Sequence, residues 1–150
     1  MKMSLIRLDQ ALTVNPASSK TWYDRGCALA EAGDYTEALV SFNQALTLSP
    51  EDGAAWVFQS VMLIHLERYE EALRSCDRAL QIKPKDAEAL LFRGVALQRL
   101  GRYKGAYASY ENALGRWRKP SKGWGQRIKG FLREKLVLKM VPGSFEKPGI

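Results

Sequence analysis

Histidine and cysteine are nearly missing from this 150-residue chain: His65 is the one histidine, and Cys27 and Cys76 are the two cysteines. Three such side chains in these places have no metal-ligand spacing. A thiol and base built from Cys27 and His65 would lack both an orienting third group and oxyanion donors. Gly123-Trp124-Gly125 begins like a phosphate loop, but no strand pattern precedes it and Gly130 is misplaced for either phosphate-binding fingerprint. Neither an enzyme nor a cofactor protein is expected. Apolar runs near twenty residues are also lacking, and the opening MKMSLIRLDQAL has none of signal-peptide length. With cysteines in no paired spacing, a soluble chain in a reducing, cytoplasmic compartment is the expectation.

Net charge is missing from the first two thirds only. Residues 1–100 carry 11 Lys+Arg against 13 Asp+Glu, whereas residues 101–150 carry 12 against 3, which together return the net +7. A nearly neutral body is followed by a strongly basic end.

What the chain has is a period. Trp22, Leu29, Tyr35, Ala38, Ala45, Leu46 and Pro50 return 34 residues later as Trp56, Leu63, Tyr69, Ala72, Ala79, Leu80 and Pro84, and again as Leu90, Leu97, Tyr103, Ala106, Ala113 and Leu114. Within one period, Trp22, Gly26 and Leu29 fall on one helical face, and Ala38, Phe42 and Ala45 on another. Gly33 suits the left-handed turn that ends the first helix, Asp34 with Glu37 makes a capping-box spacing that starts the second, and Pro50 stops it. Hairpins this short cannot bury their apolar faces alone, so they must stack. Leu5, Leu8, Ala11, Leu12 and Pro16 repeat the second half of the unit ahead of its first full copy.

The alternation of Trp22, Gly26, Leu29, Tyr35, Ala38, Phe42, Ala45 and Pro50 resembles the tetratricopeptide (TPR) repeat. Three copies cover 19–52, 53–86 and 87–118, with residues 1–18 as a half copy. The resemblance implies an all-α, right-handed superhelix whose first helices line a concave groove for peptides or helices of partner proteins. Departures fall in the second copy, where Ser60, Glu67 and Cys76 replace Gly26, Gly33 and Phe42, and in the third, where Arg118 stands in place of proline. Cys76 supplies less volume than an aromatic ring, so either its neighbours close in or the interface is softer there.

Counting from the tryptophan face places Tyr23 and Cys27, then Val57, Val61, Ile64 and His65, then Leu91, Val95 and Gln98 on the groove side. The helix Ala54 to Leu66 is apolar almost all round. Either the groove shields its own apolar side or something apolar docks there. Some TPR proteins grip acidic chaperone tails with groove Lys, Asn and Arg residues; the matching positions here are Tyr23, Cys27, Phe58, Glu88 and Phe92, so that clamp is absent. Apolar recognition with a partly acidic rim (Glu31, Glu51, Asp52, Asp86, Glu88) is expected instead.

Residues 119–141 read as a linker and a basic amphipathic helix, and 142–150 as a loose end. Trp124, Ile128, Phe131, Leu132, Leu136 and Met140 form its apolar face, with Arg127, Lys129, Arg133, Lys135 and Lys139 as its basic residues. Three roles are open to it: capping the last repeat, folding back into the groove, or meeting an anionic membrane or nucleic acid. A scaffold or adaptor for a protein partner is the leading reading, with self-association as a further possibility.

Overall fold

The computed structural model describes residues 4–117, with side chains as far as Gly115. The helix expected beyond Trp124 lies outside the described residues. Seven helices follow one another, with no strand among the described residues: α1 (Leu5–Val14), α2 (Ser19–Glu31), α3 (Tyr35–Leu48), α4 (Gly53–His65), α5 (Tyr69–Ile82), α6 (Ala87–Arg99) and α7 (Tyr103–Trp117). The pairs α2/α3, α4/α5 and α6/α7 form antiparallel hairpins that stack in chain order, α1 packs on α2, and α4 also touches α6.

Local chemistry fixes where each helix starts. Before each first helix a short polar side chain accepts a hydrogen bond from the opening turn: Ser18 from the Thr21 amide, Asp52 from Ala55, and Asp86 from Glu88 and Ala89. Asp52 and Asp86, both expected on the acidic rim, thus also serve as caps. Asp34 caps α3 through the Glu37 amide, but the Glu37 carboxylate approaches Arg25 at 3.9 Å, so its charge is turned toward a neighbouring helix.

The turns inside the hairpins share one geometry. The amides of Asp34, Arg68 and Arg102 bond back to the carbonyls of Leu29, Leu63 and Leu97, and the residue before each amide has positive φ: Gly33 at 85°, Glu67 at 60° and Gly101 at 76°. This is the glycine-type helix stop. In the middle repeat a glutamate adopts it, against the preference of any residue with a Cβ.

Packing within each hairpin depends on a pair of residues sixteen apart. A Cβ placed on Gly26 would lie 2.7 Å from the Phe42 ring, and one on Gly94 would lie 2.5 Å from the Tyr110 ring. Where the ring is replaced by Cys76, the facing residue grows to Ser60, and both are fully buried. The volume lost at Cys76 is thus returned in part by Ser60 across the hairpin.

Successive hairpins are joined by a second device at the same spacing. Arg25 donates from Nε to Asp9 on the preceding second helix (2.7 Å) and from a terminal nitrogen to Ser41 Oγ on its own (2.7 Å). Arg93 repeats this with Asp77 and Ser109, both at 2.9 Å. In the middle layer Gln59 donates to Asn43 Oδ1 and accepts from Ser75 Oγ. A charged clasp and an amide clasp occupy equivalent places, and each keeps its partly buried donors and acceptors paired. Trp22 and Trp56 add a further tie, their indole N–H groups donating to the Pro16 and Pro50 carbonyls at 2.8 and 2.9 Å.

Candidate concave interface

The clasps bridge second helices, which places the polar seam of the stack on one side. The opposite side of α2, α4 and α6 holds the candidate interface. Its apolar members are deep: Val57, Val61, Ile64, Leu91 and Val95 are each 2% exposed or less. Tyr23, at 8%, meets Phe42 and Phe58 edge-on at 5.8 and 5.6 Å, while those two rings stack at 5.6 Å with planes 11° apart. This aromatic cluster ties the first hairpin to the second. Such edge-to-face and offset contacts add specificity to the burial of large rings.

Cys27, His65 and Gln98 are half-buried and form the more accessible level above that floor. His65 stacks on Tyr35, ring centroids 4.0 Å apart and planes 6° apart, so the turn of the first hairpin and the end of α4 are joined. Gln98 accepts a hydrogen bond from Tyr110 Oη at 2.8 Å. Burial pushes the Tyr110 hydroxyl above its usual range, with Tyr107 adding to the rise, so it remains a donor. Among the sequence-predicted residues, then, five form a sealed floor, Tyr23 closes one edge, and three remain within reach. Arg127, Lys129, Arg133, Lys135 and Lys139 lie outside the described residues.

Glu88 belongs to the same surface, at the start of α6. Its carboxyl is pushed up to about 7, chiefly by burial and secondarily by Asp86, with Lys83 opposing. A carboxylate disfavoured to that extent marks poorly solvated surroundings. The sequence places Glu88 three residues before Leu91 and on the acidic rim, but carries no signal of its desolvation. The two thiols differ: Cys27 is half-buried, whereas burial pushes the Cys76 thiol up to about 12, which leaves Cys76 unreactive.

Two features of this assembly escaped sequence reasoning. One is Phe58, which joins the aromatic cluster from a position assigned only to the absent clamp. The other is the sixteen-residue spacing of both the volume pairs and the clasps, visible in hindsight as Asp9/Arg25/Ser41, Asn43/Gln59/Ser75 and Asp77/Arg93/Ser109, each set 34 residues from the last. No described helix is long and apolar enough to cross a membrane.

Comparison with known proteins agrees with this geometry. Family models described as tetratricopeptide repeat match residues 7–51 and 23–87, and a second such family matches 63–116. No curated protein sequence matches the chain. Among solved structures, a crystal structure of MamA superposes with a TM-score of 0.72 at 18% identity, covering 76% of this chain and 67% of that one. A double mutant, MamA RS-1, gives 0.70 at 24% identity over 74% and 62%. The second TPR of Spaghetti (RPAP3), bound to the HSP90 peptide SRMEEVD, gives 0.63 at 22% identity, covering 64% of this chain and 89% of that one. The chain spans about two thirds of the length of the MamA structures.

Proposed function

Since the chain belongs to the tetratricopeptide repeat family, we propose that it is a non-enzymatic protein-interaction module whose concave face receives an apolar helix or peptide. The observation that carries this reading is the composition of that face. Two successive first helices, α4 and α6, supply a continuous apolar floor, Val57, Val61, Ile64, Leu91 and Val95, beside a desolvated Glu88. The ion pairs Asp9–Arg25 and Asp77–Arg93, which join neighbouring hairpins, belong to the clasp side instead. An apolar partner would gain by burying its own apolar face against the half-buried level of Cys27, His65 and Gln98, which the sealed floor holds in place.

The RPAP3 domain shows that a related fold can hold a peptide ending in acidic residues, but the accessible positions here argue for a different ligand. Cys27, His65 and Gln98 offer no cluster of cations for carboxylates. The sealed floor also changes which side chains should be tested. Val61→Asp would place a charge at a site with no exposed area and would destabilise the fold before it reported on binding. Cys27→Arg and Gln98→Arg alter the reachable level instead.

A display library of helical peptides, panned against the whole chain, is the direct test. Enriched peptides should share apolar residues at i, i+3 and i+4, and both arginine variants should weaken them about tenfold or more. Arg78→Ala, whose side chain lies over the Trp56 ring on the clasp side, should leave affinity unchanged. Enrichment of acidic peptides, or indifference to Cys27→Arg and Gln98→Arg, would sink the proposal.

A further inference from the structure

The clasp side of the stack holds a cleft of its own. Between α3, α4 and α5 lies a hollow of about 500 Å³, with Leu39, Leu63 and Trp56 as its apolar lining and Arg68, Arg74 and Arg78 along one wall. The corresponding hollow one layer earlier, between α1, α2 and α3, measures about 350 Å³ and has the opposite balance of charge. There Asp9 and Glu37 face a single cation, Arg25, which bonds to Asp9 and Ser41 and lies 3.9 Å from Glu37. The difference is written in the sequence. Arg74 stands where the other repeats have Val40 and Ala108, Arg78 where they have Gln44 and Asn112, and Asn43 replaces the aspartate of the charged clasps.

Charges in the middle cleft do not cancel. Its two carboxylates are already engaged: Arg68 holds Glu71 through both oxygens, at 2.9 and 2.6 Å, and Asp77 accepts from Arg93 at 2.9 Å. Arg74 acts on Glu71 only as a weaker, more distant charge. Arg78 lies 5.4 Å from the centre of the Trp56 ring and donates to the side-chain carbonyl of Gln81 at 3.0 Å, which carries no charge to meet it. Among the described residues neither arginine is in an ion pair. Both are exposed, and their spacing of four puts them on one face of α5.

Two uncompensated guanidinium groups beside a half-buried indole call for a ligand with two negative charges and a flat apolar part. A phosphate monoester carries close to that charge at neutral pH, and the planar fork of arginine fits its oxygens. The hollow has the volume of a small-molecule site. We propose that the cleft between α3, α4 and α5 binds a small organic phosphate, its phosphate held by Arg74 and Arg78 and its flat apolar group against Trp56. The middle amide clasp serves this arrangement. Asn43 and Gln59 satisfy each other without adding a carboxylate that would compete for the two arginines.

Naphthyl phosphate is the probe, titrated into the full chain while amide chemical shifts are followed. Shifts should move along α5 and at Gln59 and Leu63, with a dissociation constant of about 1 mM or below. Arg74→Ala and Arg78→Ala should each weaken binding about tenfold while moving the melting temperature by no more than about 2 °C. Inorganic phosphate, which lacks the flat group, should bind about tenfold more weakly than naphthyl phosphate. Absence of shifts at about 10 mM probe would overturn the proposal, and so would equal binding of the two phosphates, which marks attraction by charge alone. Binding that survives both alanine substitutions would place the probe on other cations and reject the cleft. A pentapeptide with a central phosphotyrosine that binds more tightly than naphthyl phosphate would assign the arginines to a protein partner, against a small-molecule site. Arg78→Ala is also the variant expected to spare a ligand of the concave face, so success or failure at one site is read separately from the other.

Discussion

Single positions in this protein can be judged by comparison with their counterparts one period away. Glu67 holds φ at 60° where Gly33 and Gly101 occupy the equivalent turns. Its side chain is exposed, so Glu67→Gly should relieve the strain at no packing cost and raise stability by about 1 kcal/mol, read as a higher urea midpoint. The reverse holds inside the hairpins. Gly94→Ala should cost about 2–3 kcal/mol because its methyl group would strike the Tyr110 ring. In a Tyr110→Cys background the same substitution should cost far less, since Ser60 facing Cys76 already shows that a larger residue fits opposite a smaller one. A double-mutant cycle on thermal or urea unfolding measures that coupling. At Glu88 the expectation concerns pH. Folded, its carboxyl holds a proton up to about 7; unfolded, it would release it near 4.5. The folded state binds the extra proton between those values, so this residue makes stability fall as pH rises from about 4.5 to 7. Glu88→Gln should flatten that decline and raise the melting temperature at pH 8 while changing little at pH 4.

At the scale of helices, the clasps decide which hairpin can follow which. An Asp with an Arg, or an Asn with a Gln, satisfies both partners, but a mixed pair leaves either a charge without its counter-charge or an amide with nothing equivalent to meet. Gln59→Arg alone should therefore be neutral to mildly destabilising, and adding Asn43→Asp should recover or exceed parental stability by about 0.5–1 kcal/mol. Calorimetry of the two variants and their combination checks this. Most of the device was open to inspection in the sequence, because 9, 43 and 77, 25, 59 and 93, and 41, 75 and 109 each repeat at 34. Apolar periodicity does not reveal it, because polar residues on a helix that also has a solvated face carry no obvious partner until the neighbouring helix is placed beside them. Helix termini, by contrast, were legible: Gly33, Asp34 and Pro50 act through local backbone geometry, which needs no tertiary information.

Over the whole molecule, the stack has the polar clasps on one side of its first helices and an apolar floor on the other. Recognition by that floor predicts affinity that varies less than about twofold between 50 and 500 mM salt, whereas recognition by the basic residues after Arg116 would fall steeply over the same range. Isothermal titration with a selected peptide separates the two, and burial of apolar surface should also appear as a negative heat-capacity change.

The 34-residue period alone determined that the chain folds as stacked helical hairpins, because hairpins of this length have no other way to bury their apolar faces. Depth was decided only by the tertiary structure. Val61 and Cys27 hold equivalent positions one period apart, yet Val61 has no exposed surface and Cys27 is half-buried, since what covers a side chain is set by neighbouring layers and not by its own helix. The partial protonation of Glu88 and the exchange of volume between Ser60 and Cys76 have the same origin. Each depends on groups brought together from different helices, and a pattern along one helix specifies a direction without specifying what lies in it.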